Sequence, residues 1–137
     1  MTIFYHQEPN LYLATSSILY SIPLYAAILA DQYLTFCALA LVIPTSIVYH
    51  STKHPIAYYL DQIGVYSVVF CSWYDGYRGG PATLCISFLS NAASFYLYMW
   101  GRKTQSLIWS PDYRIATASH VLLHAVSALG YTALLLV

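Results

Sequence analysis

Charge is what this sequence has least of. Only 7% of its 137 residues are Asp, Glu, Lys or Arg, against about 25% in an ordinary soluble domain. Five basic residues cancel five acidic ones, so no basic field points to nucleic acid. There is no CxxC pair. The three cysteines, Cys37, Cys71 and Cys85, lie in or near apolar runs and read as small buried hydrophobes. Internal repeats and low-complexity tracts are absent. Strict alternation of apolar and polar residues is missing too, which excludes a membrane β-barrel. The opening MTIFYHQEPN has no basic n-region, and the first apolar run is long enough to span, so a secretory signal is not expected.

What fills the space is hydrocarbon. Hydrophobic residues make up 59% of the chain, and so few charges cannot cover that surface in water; the natural solvent is a bilayer. Nearly charge-free stretches predict spans over 11–30, 33–50, 56–74, 81–100 and 115–137. Unpaired backbone is not tolerated in lipid, so each span is expected to be helical. The expected fold is all-α: a single polytopic membrane domain, 1–137, with about five transmembrane helices. Pro81 suits the first turn of the fourth helix, and Pro44 is expected to kink the second. Asp75, Gly76, Gly79 and Gly80 read as a turn. His6 and His54 read as solvated loop residues, and Asn91 as a hydrogen-bonding residue between helices.

Five spans place the segments around Lys53 and around Arg102, Lys103 and Arg114 on the side of the N-terminus, with only Arg78 on the other side. The positive-inside rule then puts the N-terminus in the cytoplasm or its equivalent. Many of the 15 tyrosines fall near proposed span ends, where amphipathic rings are favoured.

Against that background a few polar residues stand out. His50 closes the second span, and Ser46 lies one turn before it on the same face. Asp61 opens the third span. His120 and His124 lie four apart in ASHVLLHAVSALGYTALLLV, early in the fifth. The predicted topology brings all five to similar depth on one side. Three imidazoles near a carboxylate suit zinc, whose catalytic sites commonly keep three protein ligands and one open position. Two histidines at i and i+4 can share one ion. Zinc lowers the pKa of its water to about 7. Asp61 could orient a ligand or accept a proton, and Ser46 could donate to a developing oxyanion. Duller roles stand beside these: helix-to-helix hydrogen bonds for the histidines, a helix N-terminal carboxylate for Asp61, and packing for Ser46.

The stretch SIVYHSTKHPIAYYLDQIGVY, Ser46–Tyr66, resembles the second and third helices of the hemolysin III and progestin/adipoQ receptor proteins. These belong to the CREST superfamily of membrane hydrolases, together with the alkaline ceramidases. The superfamily pattern is S-x3-H, an Asp at the start of the next helix, and H-x3-H in the last helix. Here it reads Ser46-x3-His50, Asp61 and His120-x3-His124. The resemblance implies that His50, His120 and His124 bind zinc, with Ser46 and Asp61 beside it as catalytic residues. It also implies hydrolysis of an amide or ester bond in a lipid-like substrate that enters from the membrane lipid. The family usually has seven helices. About 58 residues lie between Asp61 and His120, too few for the three intervening helices usual there, so the wall of the lipid cavity should be thinner. A homo-oligomer or a larger membrane complex could fill that gap. Two non-catalytic alternatives follow: a zinc-stapled structural subunit of such an assembly, and a membrane receptor or sensor.

Overall fold

A computed structural model describes residues 9–136, and among them there is no strand. Five helical rods follow one another: α1 (Leu11–Leu29), α2 (Tyr33–Thr52), α3 (Pro55–Gly79), α4 (Pro81–Thr104) and α5 (Tyr113–Leu136). The reading of His6 as a loop residue and the last residue of the predicted 115–137 span fall outside the described residues. The all-α bundle expected from the composition is what forms.

Local chemistry explains the joints. Asn10 caps α1, its side-chain oxygen accepting from the Leu13 N–H. Within α1 a 3₁₀ turn at Ser17–Tyr20 precedes Pro23. Proline lacks the N–H that the Leu19 carbonyl would otherwise receive, and tighter local bonding takes up the mismatch. Lys53 ends α2 in the left-handed region at φ 54°. The His54 ring then caps α3 by accepting from the Ile56 N–H, and Pro55 fills the first helical position. The helix from Tyr33 to Thr52 runs unbroken through Pro44.

Two expectations need correcting. Asp75, Gly76 and Gly79 are not a turn; they are the last turns of α3, and only Gly80, at φ 100°, breaks the helix. The glycines serve close packing: a Cβ on Gly76 would lie 2.9 Å from Ser87 Cβ on α4. The Thr83 hydroxyl sits among the last carbonyls of α3, 3.0 Å from Gly76 O and 2.8 Å from Gly80 O. Of the cysteines, only Cys71 is buried, while Cys37 and Cys85 face outward, where an apolar thiol is equally at home in lipid.

The rods form a closed ring. Each helix packs on the next, and α1 packs on α5 as well as on α2. Apart from Tyr131, the core is made of small and medium side chains, Ala27, Ala38, Leu39, Val42, Val68 and Cys71, as expected where helices associate by close contact rather than by escape from water. Gly64 on α3 shows how close: a Cβ there would stand 3.0 Å from Val42 Cα. Large apolar residues such as Leu34, Ile63, Phe70, Leu89, Phe95 and Leu129 face out, as they do where lipid is the solvent. Four of the helices are long and apolar enough to cross a membrane, the make-up of an integral membrane protein. The remaining one, α3, has the length but carries Asp61, Gln62, Asp75 and Arg78.

A polar network joins α3, α4 and α5. Asn91 Nδ2 donates to Ser72 Oγ at 2.8 Å, Tyr131 donates to Asn91 Oδ1 at 3.3 Å, and Ser87 donates to Ser72 O at 2.9 Å. One turn after Ser72, the Thr35 hydroxyl donates to the buried Asp75 carboxylate. Asp75 lies about 21 Å along the helix from Asp61 at 1.5 Å per residue, so the two buried acids sit at opposite ends of the bundle.

Candidate metal centre

The final turns of α2 and the first half of α5 bring three imidazoles together. His50 and His124 are buried, 2% and 7% exposed, and His120 is half-buried. Ring centroids lie 5.0 Å apart for His50 and His120, 4.9 Å for His120 and His124, and 5.7 Å for His50 and His124. One nitrogen from each ring falls within 4.8 Å of the other two. Nitrogens about 2.1 Å from a tetrahedral zinc stand roughly 3.4 Å apart. Contraction by about 1.4 Å at most, within reach of small side-chain rotations, therefore converts the cluster into a metal-binding geometry.

The neighbours test the fit. The Ser16 hydroxyl donates to Leu13 O at 2.9 Å, which leaves its lone pairs to accept from His124 Nδ1 at 2.8 Å. The hydrogen-bond network thus assigns the proton to Nδ1 and leaves the Nε2 lone pair available. This is the usual arrangement for a ligating histidine. Ser46 and Asp61 are both buried; the Ser46 and Gln62 side chains interact with the Asp61 carboxylate, whose Oδ1 has no hydrogen-bond partner. A buried carboxylate oxygen without a hydrogen-bond partner keeps a lone pair free to take a proton. Three converging histidine nitrogens make a donor set that fits zinc.

One group works against a cation. Lys53 Nζ lies 3.2 Å from His50 Nδ1 and 4.6 Å from the Tyr49 ring centroid. An ammonium can only donate, so it holds the His50 Nδ1 lone pair. Burial pulls the Lys53 amine down to about 8, against the opposing pull of Asp61. No family model, curated protein or solved structure matches this chain.

All five residues singled out in the sequence lie at the end of the bundle where α2 closes and α3 and α5 begin: the histidines as one cluster, and Ser46 with Asp61 as a buried pair. Sequence reasoning missed Ser16, Lys53, Asn10 and Thr117. Asn10 donates from its backbone N–H to His50 O at 2.8 Å and from Nδ2 to Thr117 Oγ1 at 2.9 Å. Neither Ser16 nor Asn10 is ionisable or part of a spaced motif. Their roles depend on α1 lying between α2 and α5, which no local pattern announces.

Proposed function

We propose that the chain is a zinc-dependent membrane hydrolase of the CREST type, acting on an amide or ester bond of a lipid-like substrate. The observation that carries this reading is the convergence of His50, His120 and His124, at the end of the bundle where Ser46 and Asp61 are buried as an interacting pair. When bound, zinc supplies a Lewis acid and a water acidic enough to be deprotonated near neutral pH. The protein's own residues do the rest. Asp61 takes a proton on its open Oδ1 and returns it to the leaving group. The Ser46 hydroxyl, turned from Asp61, donates to the oxygen on which negative charge develops. A shallow apolar groove of about 160 Å³, lined by Pro44, Thr45, Val48, Ala57 and Leu60, runs between α2 and α3 on the stretches that carry Ser46 and Asp61. It suits part of an acyl chain arriving from the membrane. The positive-inside rule supports placing the site at the cytoplasmic face, with Lys53, Arg102, Lys103 and Arg114 on that side.

A second reading has its own support. Among the described residues, no Cα of α2 comes within 8 Å of a Cα of α5, so a metal held by His50 and the α5 pair would staple two helices that otherwise do not meet. In that case the chain is a non-catalytic subunit of a larger membrane assembly. Metal content and turnover separate the two readings. Wild-type protein is expected to carry one zinc per chain, and His120→Ala/His124→Ala none. Asp61→Asn is expected to keep the zinc and lose hydrolysis of lipid amides and esters. An Asp61→Asn protein as active as wild type refutes the catalytic reading. A wild type without zinc in chelator-free preparations refutes both.

A further inference from the structure

The two histidine-bearing helices do not touch through their backbones, yet their imidazoles meet. Something must set the gap, and α1 lies against both helices. We propose that Asn10 is a positioning residue that fixes α2 and α5 at the separation the histidine cluster requires. The inference rests on the metal-centre reading for its functional consequence, but its geometry stands without a metal.

Every hydrogen-bonding group of Asn10 is committed to a different partner. Its backbone N–H holds the carbonyl of His50 itself at 2.8 Å, one of the last carbonyls of α2, which lack a partner within their own helix. Its Nδ2 holds Thr117 Oγ1 at 2.9 Å, one turn before His120 on α5. Its Oδ1 holds the Leu13 N–H at 3.2 Å, anchoring the residue to the start of α1. Asn10 is 2% exposed, so water does not compete for these bonds. A residue serving only as a helix cap needs Oδ1 alone. The contacts on either side, one to the backbone of a histidine and one a single turn from another, are beyond what capping requires. Asparagine is suited to this place because its amide both accepts and donates; serine or aspartate would cap the helix without an amide to offer Thr117.

The test separates the tie from the cap. Thr117→Val keeps the shape and the Asn10 cap but removes the oxygen that receives Nδ2. Asn10→Ala removes the tie to Thr117 and the cap while keeping the backbone bond to His50 O, and the double variant completes the cycle. Metal-free protein labelled at histidine is examined by NMR, with ring signals assigned by single histidine substitutions, and zinc affinity is measured by chelator competition. In metal-free Thr117→Val and Asn10→Ala, the His120 and His124 ring signals are expected to shift or broaden relative to that of His54. Zinc affinity should fall about 10- to 100-fold, the usual size of an outer-shell loss. The double variant should lose little beyond Asn10→Ala, since both changes break one bond. Unchanged ring signals and zinc affinity in Thr117→Val, with Asn10→Ala merely melting earlier, would show Asn10 to be a cap and overturn the proposal. If wild type binds no zinc while the ring signals still move in both variants, the positioning role stands and the metal reading is what fails.

Discussion

Replacing Ser16 with alanine removes one oxygen from the bundle and tests how the histidine cluster is prepared. The Leu13 carbonyl loses little, because it keeps the Ser17 N–H and the Ser17 hydroxyl at 3.1 Å. His124 loses more: its Nδ1–H is left without the acceptor 2.8 Å away, inside a residue that is 7% exposed. A buried donor stranded in this way costs about 1–3 kcal/mol, some of which the ring recovers by tilting or by changing tautomer. Tilting turns Nε2 away from the other two nitrogens, and the other tautomer places the proton on Nε2, so either response takes its lone pair from the site. Loss of an outer partner of a metal ligand typically lowers affinity about 10- to 100-fold, or about 1.4–2.8 kcal/mol. Competition against a chromophoric chelator in detergent or nanodiscs measures this directly, and a cobalt-substituted sample should show an altered ligand-field spectrum. If Ser16→Ala binds zinc as tightly as wild type while His120→Ala does not, the serine has no part in preparing His124 and the tautomer argument is wrong.

Two further outcomes follow from the same geometry. Lys53→Met removes the cation 3.2 Å from His50 Nδ1 and is expected to tighten zinc binding several-fold in the chelator assay; weaker binding would mean that Lys53 supports the site rather than competing with it. Because burial holds the Lys53 amine at about 8, below its unfolded value, the unfolded chain binds more protons between that pH and about 10.4. Wild type should therefore gain stability relative to Lys53→Met as pH rises through 8, read as the difference in melting temperature at pH 7 and pH 9.5. Gly64→Ala places a Cβ 3.0 Å from Val42 Cα, on backbone that cannot swing aside, and should cost about 1–3 kcal/mol; a variant that melts with wild type would show that α2 and α3 are not held so close.

Legibility in the sequence followed the strength of the local signal. Twenty-residue apolar runs are unambiguous, and the predicted spans fall on the observed helices with ends displaced by a few residues. The largest displacement is at Asp75–Gly79, where polar and glycine residues suggest a turn. There α3 continues because Thr35 and Ser87 on neighbouring helices meet those positions. The stretch 101–114, left between the fourth and fifth predicted spans, is partly helical as well: α4 continues to Thr104, and a 3₁₀ turn at Leu107–Trp109 follows. The histidines, Ser46 and Asp61 were legible because ionisable or spaced polar groups in hydrocarbon are costly and so conspicuous. Ser16 and Asn10 are ordinary small polar residues near the head of a helix. Their contacts lie more than a hundred positions away, at Thr117 and His124, and only the ring closure of α1 on α5 brings them there.

That closure has a consequence for the birth of the protein. Chains emerge N-terminus first, so α1 enters the membrane long before its partners on α5 exist. The bonds from Asn10 to Thr117 and from Ser16 to His124 span 107 and 108 positions, close to the whole length of the described chain. Until the last helix arrives, the Asn10 amide and the Ser16 hydroxyl must be served by solvent, by lipid headgroups or by a chaperone. The histidine cluster is then the final part of the molecule to be completed. Its capacity to hold a metal would report that every helix has been inserted and the ring has shut.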